Sequence, residues 1–121
     1  MLNAELERWT THDFSSGCYP GEDYLEFVKE MEKDLKRQAK ENALNVEWFT
    51  PNHYSFSACL KNNETDKFVY VMVSDVRVTL NGDWSTHTLY RTMQNPEDYR
   101  GGQNMYGPWE DIGKLTKRIS K

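Results

Sequence analysis

The chain has 121 residues, enough for one domain with its own apolar core. Hydrophobic residues make up 37% and charged residues 28%, which excludes a disordered chain. The 19 acids outnumber the 15 bases for a net charge of −4, which excludes a general nucleic-acid binder built on a basic stripe.

The first residues, MLNAELERWTTHDF, hold no apolar run flanked by bases, so no signal peptide is expected. No stretch approaches the length of a membrane span. A soluble, cytoplasmic protein is the expectation. Its two cysteines, Cys18 and Cys59, are then expected as free thiols, with a Cys18–Cys59 disulfide as the minor alternative. The Cys-x-x-Cys and His-x-x-x-His spacings of a zinc site are missing, and no cofactor is expected.

In chain order, residues 2–9 read as a short helix with Leu2, Leu6 and Trp9 roughly on one face. It is too short to stand alone and must dock on the body. Residues 10–21 read as a loop punctuated by Gly17, Pro20 and Gly21.

Residues 22–43 carry the strongest helix pattern. Tyr24, Val28, Met31, Leu35 and Ala39 recur at three- and four-residue steps, Phe27 widens the stripe, and Glu22 and Asp23 suit the positive end of the helix dipole. The bases Lys33, Lys36, Arg37 and Lys40 suggest a phosphate contact or a solvated face. Interspersion with Glu30, Glu32, Asp34 and Glu41 favours the solvated face.

Residues 45–51 predict a short strand ending at Pro51. In 53–60, Tyr54, Phe56, Ala58 and Leu60 alternate with Ser55, Ser57 and Cys59, as a half-buried strand requires. A turn cluster at 61–67 leads to a long strand over 68–78. Val69, Val71 and Val73 need cover on one face of it, from a helix or from a second copy of the chain in a homodimer.

Asn81-Gly82 is a hairpin dipeptide. A two-residue turn there pairs Asp75 with Thr88, Val73 with Tyr90 and Met72 with Arg91. Residues 84–93 form the return strand, 94–106 a loop, and 108–119 a last helix with Trp109, Ile112, Leu115 and Ile119 as its stripe and Gly107 or Asn104 as its cap. The fold class is α+β: an antiparallel meander of three to four strands, with a long N-terminal and a C-terminal helix packed on it.

Three groups of residues stand out chemically. On the expected register Arg91 lies on a face with Tyr70, Met72, Leu89 and Phe56, where an arginine needs a partner. A bidentate pair with Asp98 is favoured over an anion-binding role. Asp75 and Arg77 share a face with Trp84, Thr86 and Thr88. That is either a solvated sheet rim or a recognition surface with Trp84 as its anchor. The run Asp98, Tyr99, Arg100, Gly101, Gly102, Gln103, Asn104 is either a tight loop needing positive φ at its glycines or a nest of amides that holds an anion. No nucleophile elbow or H-E-x-x-H is present, and His12, His53 and His87 sit in no catalytic spacing, so an enzyme is not expected.

The run Leu89-Tyr90-Arg91-Thr92, followed by Asp98-Tyr99 and Gly101-Gly102 with Asn104 and preceded by Ser74-Asp75-Val76-Arg77, resembles a pattern in small uncharacterised proteins of phages and mobile elements of Gram-positive bacteria. The resemblance covers part of the C-terminal half. It implies no defined activity, only that Asp75, Arg77, Arg91, Asp98, Gly101, Gly102 and Asn104 are the residues to follow.

The functional expectation is a small non-enzymatic domain that binds a host protein, as an effector that blocks it. The alternative is a binder of a nucleotide or phosphate through Arg91 and the 98–104 glycine loop, with no membrane involvement in either case.

Overall fold

The computed structural model describes residues 2–14, 22–79 and 83–121. The class is α+β, but the sheet has six strands where three or four were expected. Helix α1 (Ala4–Glu7) and helix α2 (Glu22–Glu41) precede β1 (Leu44–Pro51), β2 (Phe56–Asn62) and β3 (Phe68–Val73). A 3-10 turn at Trp84–Thr86 leads into β4 (Thr88–Asn95), followed by β5 (Asp98–Gly101) and β6 (Met105–Gly107). A second 3-10 turn, Trp109–Asp111, opens helix α3 (Ile112–Ile119).

The two added strands come from the stretch read as a loop over 94–106. Asn95 pairs with Asp98, so Pro96 and Glu97 make a two-residue hairpin turn. The chain then runs back along β4, first as β5 and then as β6, with an interruption at 102–104. Asp, Asn and Gly density suggested a loop, but the same density marks a short hairpin strand with an irregularity.

The strand order is β1-β2-β3-β4, with β5 and β6 end to end on the free side of β4. Phe68 pairs with Met93, Tyr70 with Arg91 and Met72 with Leu89. The expected register is therefore off by two residues. β3 ends at Val73 rather than 78, and β4 begins at Thr88 rather than 84. Asn81-Gly82, the turn on which that register was built, lies outside the described residues. A slip of two preserves faces, so the facing assignments of Arg91 and Tyr70 survive it.

One face of the sheet forms the core. Val69, Val71, Val73, Ala58 and Leu60 are fully buried there. Helix α2 packs on β1 and α3 on β4, so the helices of this same chain cover the valine row. Phe56 sits on this covered face, opposite Val73, and contacts Phe27 of α2 and Trp109. It therefore does not share the face of Arg91, as the sequence had suggested. Full burial of a side chain of this kind contributes about 1.5–3 kcal/mol.

The helix stripe is occupied as its spacing requires, with Tyr24, Phe27, Val28, Met31, Leu35 and Ala39 buried. Two polar residues join them. Asp34 and Gln38 lie in the buried stripe rather than on a solvated face. Ala43, just past the end of α2, adopts φ 55°, the left-handed conformation that ends helices and that glycine adopts more cheaply. At the other end of the chain neither Gly107 nor Asn104 caps the last helix. Pro108 precedes the 3-10 turn in an extended conformation, and Asp111 precedes α3 without a side-chain cap.

Candidate functional site

No helix of the described residues packs on the second face of the sheet. Cross-strand partners share a face, so the pairings define its rows. The middle row runs Trp48, Cys59, Tyr70, Arg91. The row beside it runs Thr50, Ser57, Met72, Leu89, Tyr106. An irregularity between Val46 and Trp48 turns Trp48 onto this face.

Part of the face is roofed. The Trp48 indole Nε1 donates to the carbonyl oxygen of Pro96 at 2.8 Å. β2 and β3 lie between β1 and the β4–β5 hairpin in the sheet, so the hairpin tip must bend over the face to make this bond. Beneath it Cys59 is fully buried and Met93 nearly so. Burial, and secondarily the Glu47 charge, push the Cys59 thiol up to about 12.

The other part is open. Tyr70, Met72, Leu89 and Arg91 are partly exposed, and Tyr106 is 61% exposed. These five side chains adjoin across β3, β4 and β6. The Arg91 guanidinium lies 4.8 Å from the Tyr70 ring centroid and donates to Asn104 Oδ1 at 2.9 Å. Arg91 is thus held by a ring and an amide, where a carboxylate partner had been expected.

Asp98 is instead taken by Arg100, whose Nε and second guanidinium nitrogen donate at 2.9 and 3.0 Å. That pairing holds Asp98 below the ordinary carboxylate range. Two residues apart in sequence, the two groups meet without any tertiary contact. Proximity in sequence favoured this pair over Arg91–Asp98.

Neither Gly101 nor Gly102 has a φ in the left-handed range that a tight glycine loop was expected to need. Gly102 N–H donates to the carbonyl oxygen of Thr92 at 3.1 Å and to its hydroxyl at 3.2 Å. Arg100 N–H is taken by Asp98. What requires glycine is close approach: a Cβ on Gly101 would stand 1.9 Å from the Thr92 carbonyl oxygen. Thr92, Gln94, Asp98 and Arg100 border a depression of ≈ 550 Å³ over these glycines. Tyr99 lies in β5, and its side chain is outside the described part.

The other sequence candidates lie elsewhere. Asp75 and Arg77 are not on a strand but in the turn after β3. Arg77 forms two hydrogen bonds to the Asp75 carboxylate, at 2.9 and 2.7 Å, and stacks 4.2 Å from the centroid of Tyr54. The Arg77 hydrogen bonds hold Asp75 below the usual carboxylate range. Trp84 is buried at 1% exposure, edge-on to Phe27 at 4.9 Å. It is a core residue and leaves the recognition surface expected around Asp75 and Arg77 without its anchor. Thr88 is buried as well.

The three histidines are dispersed. His12 meets Asp23 at 2.7 Å, His53 lies against the Tyr54 ring at 5.0 Å, and His87 Nδ1 meets Thr86 Oγ1 at 2.9 Å. Among the described residues no group of three or more His, Cys, Asp or Glu is arranged to hold a metal ion, and no helix is long and apolar enough to cross a membrane. Cys18 lies outside the described residues, so the alternative of a disulfide to Cys59 does too.

Comparison with family models, with curated proteins and with solved structures found no match to this chain. The site therefore rests on its own geometry. It unites Arg91 and Asn104 from the sequence reading with Tyr70, Met72, Leu89 and Tyr106. Of these, Tyr106 was hidden, because the stretch up to it reads as a loop, and only its pairing with Leu89 brings it to this face.

Proposed function

We propose that this chain is a small, non-enzymatic protein-binding domain whose contact surface is the open part of the second sheet face. The observation that carries the reading is the adjoining patch of Tyr70, Met72, Leu89 and Tyr106 with Arg91 as its charge. Apolar and aromatic side chains flanking one pre-oriented arginine are the composition of interface hot spots. Arg91 is held in place before a partner arrives, which lowers the ordering cost of binding. A partner of matching chemistry presents an apolar patch and one carboxylate or carbonyl toward Arg91. The resemblance to phage and mobile-element proteins supports a host protein in that role and an effector that blocks it.

The test uses photo-crosslinking at position 106 in a lysate of the native host, with Met72→Asp and Leu89→Asp as face variants. The expected result is one crosslinked species that both variants lose while keeping their thermal midpoint within a few degrees. Crosslinks unchanged in the variants overturn the reading.

A second reading, a phosphate or nucleotide site, is favoured by the depression over Gly101 and Gly102. It has less support. The Gly102 and Arg100 amides are engaged within the chain, and the Asp98 carboxylate beside Arg100 repels an anion. A rise in thermal midpoint with any member of a nucleotide panel would restore it.

A further inference from the structure

We propose that the groove between α1 and α2, on the helical side of the molecule, is a second docking site that takes an acidic amphipathic helix of a protein partner. Two concavities of ≈ 430 and ≈ 530 Å³ adjoin there, sharing Ala4, Glu5, Glu30 and Lys33. Together they form one furrow along α2.

Its walls are fixed in advance. Asn3 Nδ2 donates to Asp34 Oδ1 at 2.6 Å, Arg8 bridges Glu26 and Glu30 at 2.9 and 2.7 Å, and the Trp9 indole donates to Glu30. Ala4, with the smallest side chain that still has a Cβ, leaves the space between them.

The charge pattern selects the occupant. Lys29, Lys33 and Arg37 follow one another at four-residue steps on α2 and line the furrow. Such residues stand about 6 Å apart along a helix. Arg37 is engaged by Asp34 and Glu41. Neither Lys29 nor Lys33 has a carboxylate of the described residues within ion-pair distance, in a chain where acids outnumber bases.

Arg8 and Arg37 are neutralised by Glu26, Glu30, Asp34 and Glu41, so the charges the furrow offers a partner are those of Lys29 and Lys33. A helix lying in the furrow with acids at i and i+4 places one carboxylate on each lysine. Its apolar side chains then fill the space over Ala4, the helix-in-groove mode of recognition. Sequence spacing alone pointed to a solvated basic face. The structure separates Lys36, which pairs with Glu32, from Lys29 and Lys33, which face the furrow.

Fluorescence anisotropy with a labelled alanine–leucine helix carrying glutamates at i and i+4, against the same peptide with glutamines, tests this on the full chain. The expected result is saturable binding of the glutamate peptide, weakened at least about tenfold by Lys29→Glu combined with Lys33→Glu, by Ala4→Phe and by the glutamine peptide. Lys36→Glu and Tyr106→Glu are expected to leave it unchanged. The Tyr106 control separates this site from the sheet face. The two lysines are exposed, so the double variant keeps the test independent of folding even where Ala4→Phe does not. No saturable binding, equal weakening by Lys36→Glu, or tighter binding of a short single-stranded oligonucleotide than of the peptide each overturns the proposal.

Discussion

The indole Nε1 of Trp109 donates to Asp34 Oδ2 at 2.8 Å, joining residues 75 apart in sequence across the junction of α2 and the C-terminal helix. The same carboxylate accepts from Gln38, Arg37 and Asn3, so both oxygens are satisfied although the residue is only 5% exposed. Gln38 extends the network, donating to the Trp109 carbonyl and accepting from Gly113 N–H. Both ends of the described chain are therefore tied to one position of α2.

Asp34→Ala is expected to destabilise the fold by about 3–5 kcal/mol, because it leaves buried donors on Trp109 and Gln38 without an acceptor. Trp109→Phe removes one donor and leaves Asp34 its other partners, so its loss is expected to be smaller. Urea unfolding of the two variants measures the difference. Equal losses would mean that packing of the indole, not the carboxylate, holds the junction.

Gly101 and Gly102 are expected to fail for different reasons. A Cβ on Gly101 meets backbone, the Thr92 carbonyl oxygen, whereas a Cβ on Gly102 meets the Thr92 hydroxyl at 2.4 Å. Both alanine variants are expected to be destabilised, typically by about 1–3 kcal/mol for overpacking of this kind. Adding Thr92→Ala should recover much of the loss for Gly102→Ala and none for Gly101→Ala. A double-mutant cycle on thermal midpoints reads this directly, and rescue of both would place the Gly101 strain elsewhere.

Helices and alternating strands were legible because burial follows a period, as in the stripe from Tyr24 to Ala39 and the run from Phe56 to Leu60. The register was not, because it was counted back from Asn81-Gly82 as if both strands ran up to that dipeptide, whereas β3 ends at Val73 and β4 begins at Thr88, with Met72 paired to Leu89. β5 and β6 were illegible for another reason. Their residues have low strand propensity, and the hydrogen bonds to β4 decide their conformation. Asp34 had a signal that went unused: with Gln38 it sits at i and i+4 inside the apolar stripe, a position where a polar pair implies a buried network. Trp84 shows the converse error, a tryptophan assigned to a surface when the core around Phe27 had room for it.

Asp75 makes the fold sensitive to acid. Its carboxyl is held below the usual value of about 3.9 by the Arg77 guanidinium and backbone N–H. A depressed folded value favours the ionised form, so the contribution is complete above the unfolded value and is lost as pH falls from there through the lower folded value. Wild type and Asp75→Asn should therefore differ in thermal midpoint at neutral pH and converge in acid, once pH is below the folded value of Asp75. The partial exposure of both side chains, 28% and 30%, keeps the difference small. A gap that persists in acid would assign the effect of Asp75→Asn to something other than its charge.

Cys59 reports on the roofed part of the sheet face. Its thiol is buried between Trp48 and Tyr70 and shifted to about 12, so almost none is thiolate at mildly alkaline pH. In a Cys18→Ser background, a thiol reagent is expected to label it slowly under native conditions and at once in denaturant. Trp48→Ala removes one flanking ring and the bond to Pro96, and labelling should then accelerate at least about tenfold as the edge strand opens locally. Unchanged labelling in that variant would mean that β2 and β3 shield the thiol by themselves and that the hairpin tip contributes no cover. Fast labelling of the parent would mean that the tip samples open positions in solution, exposing Met93 and Cys59 beside the patch around Arg91. The apolar surface available to a partner would then be wider than the five residues seen in the closed arrangement.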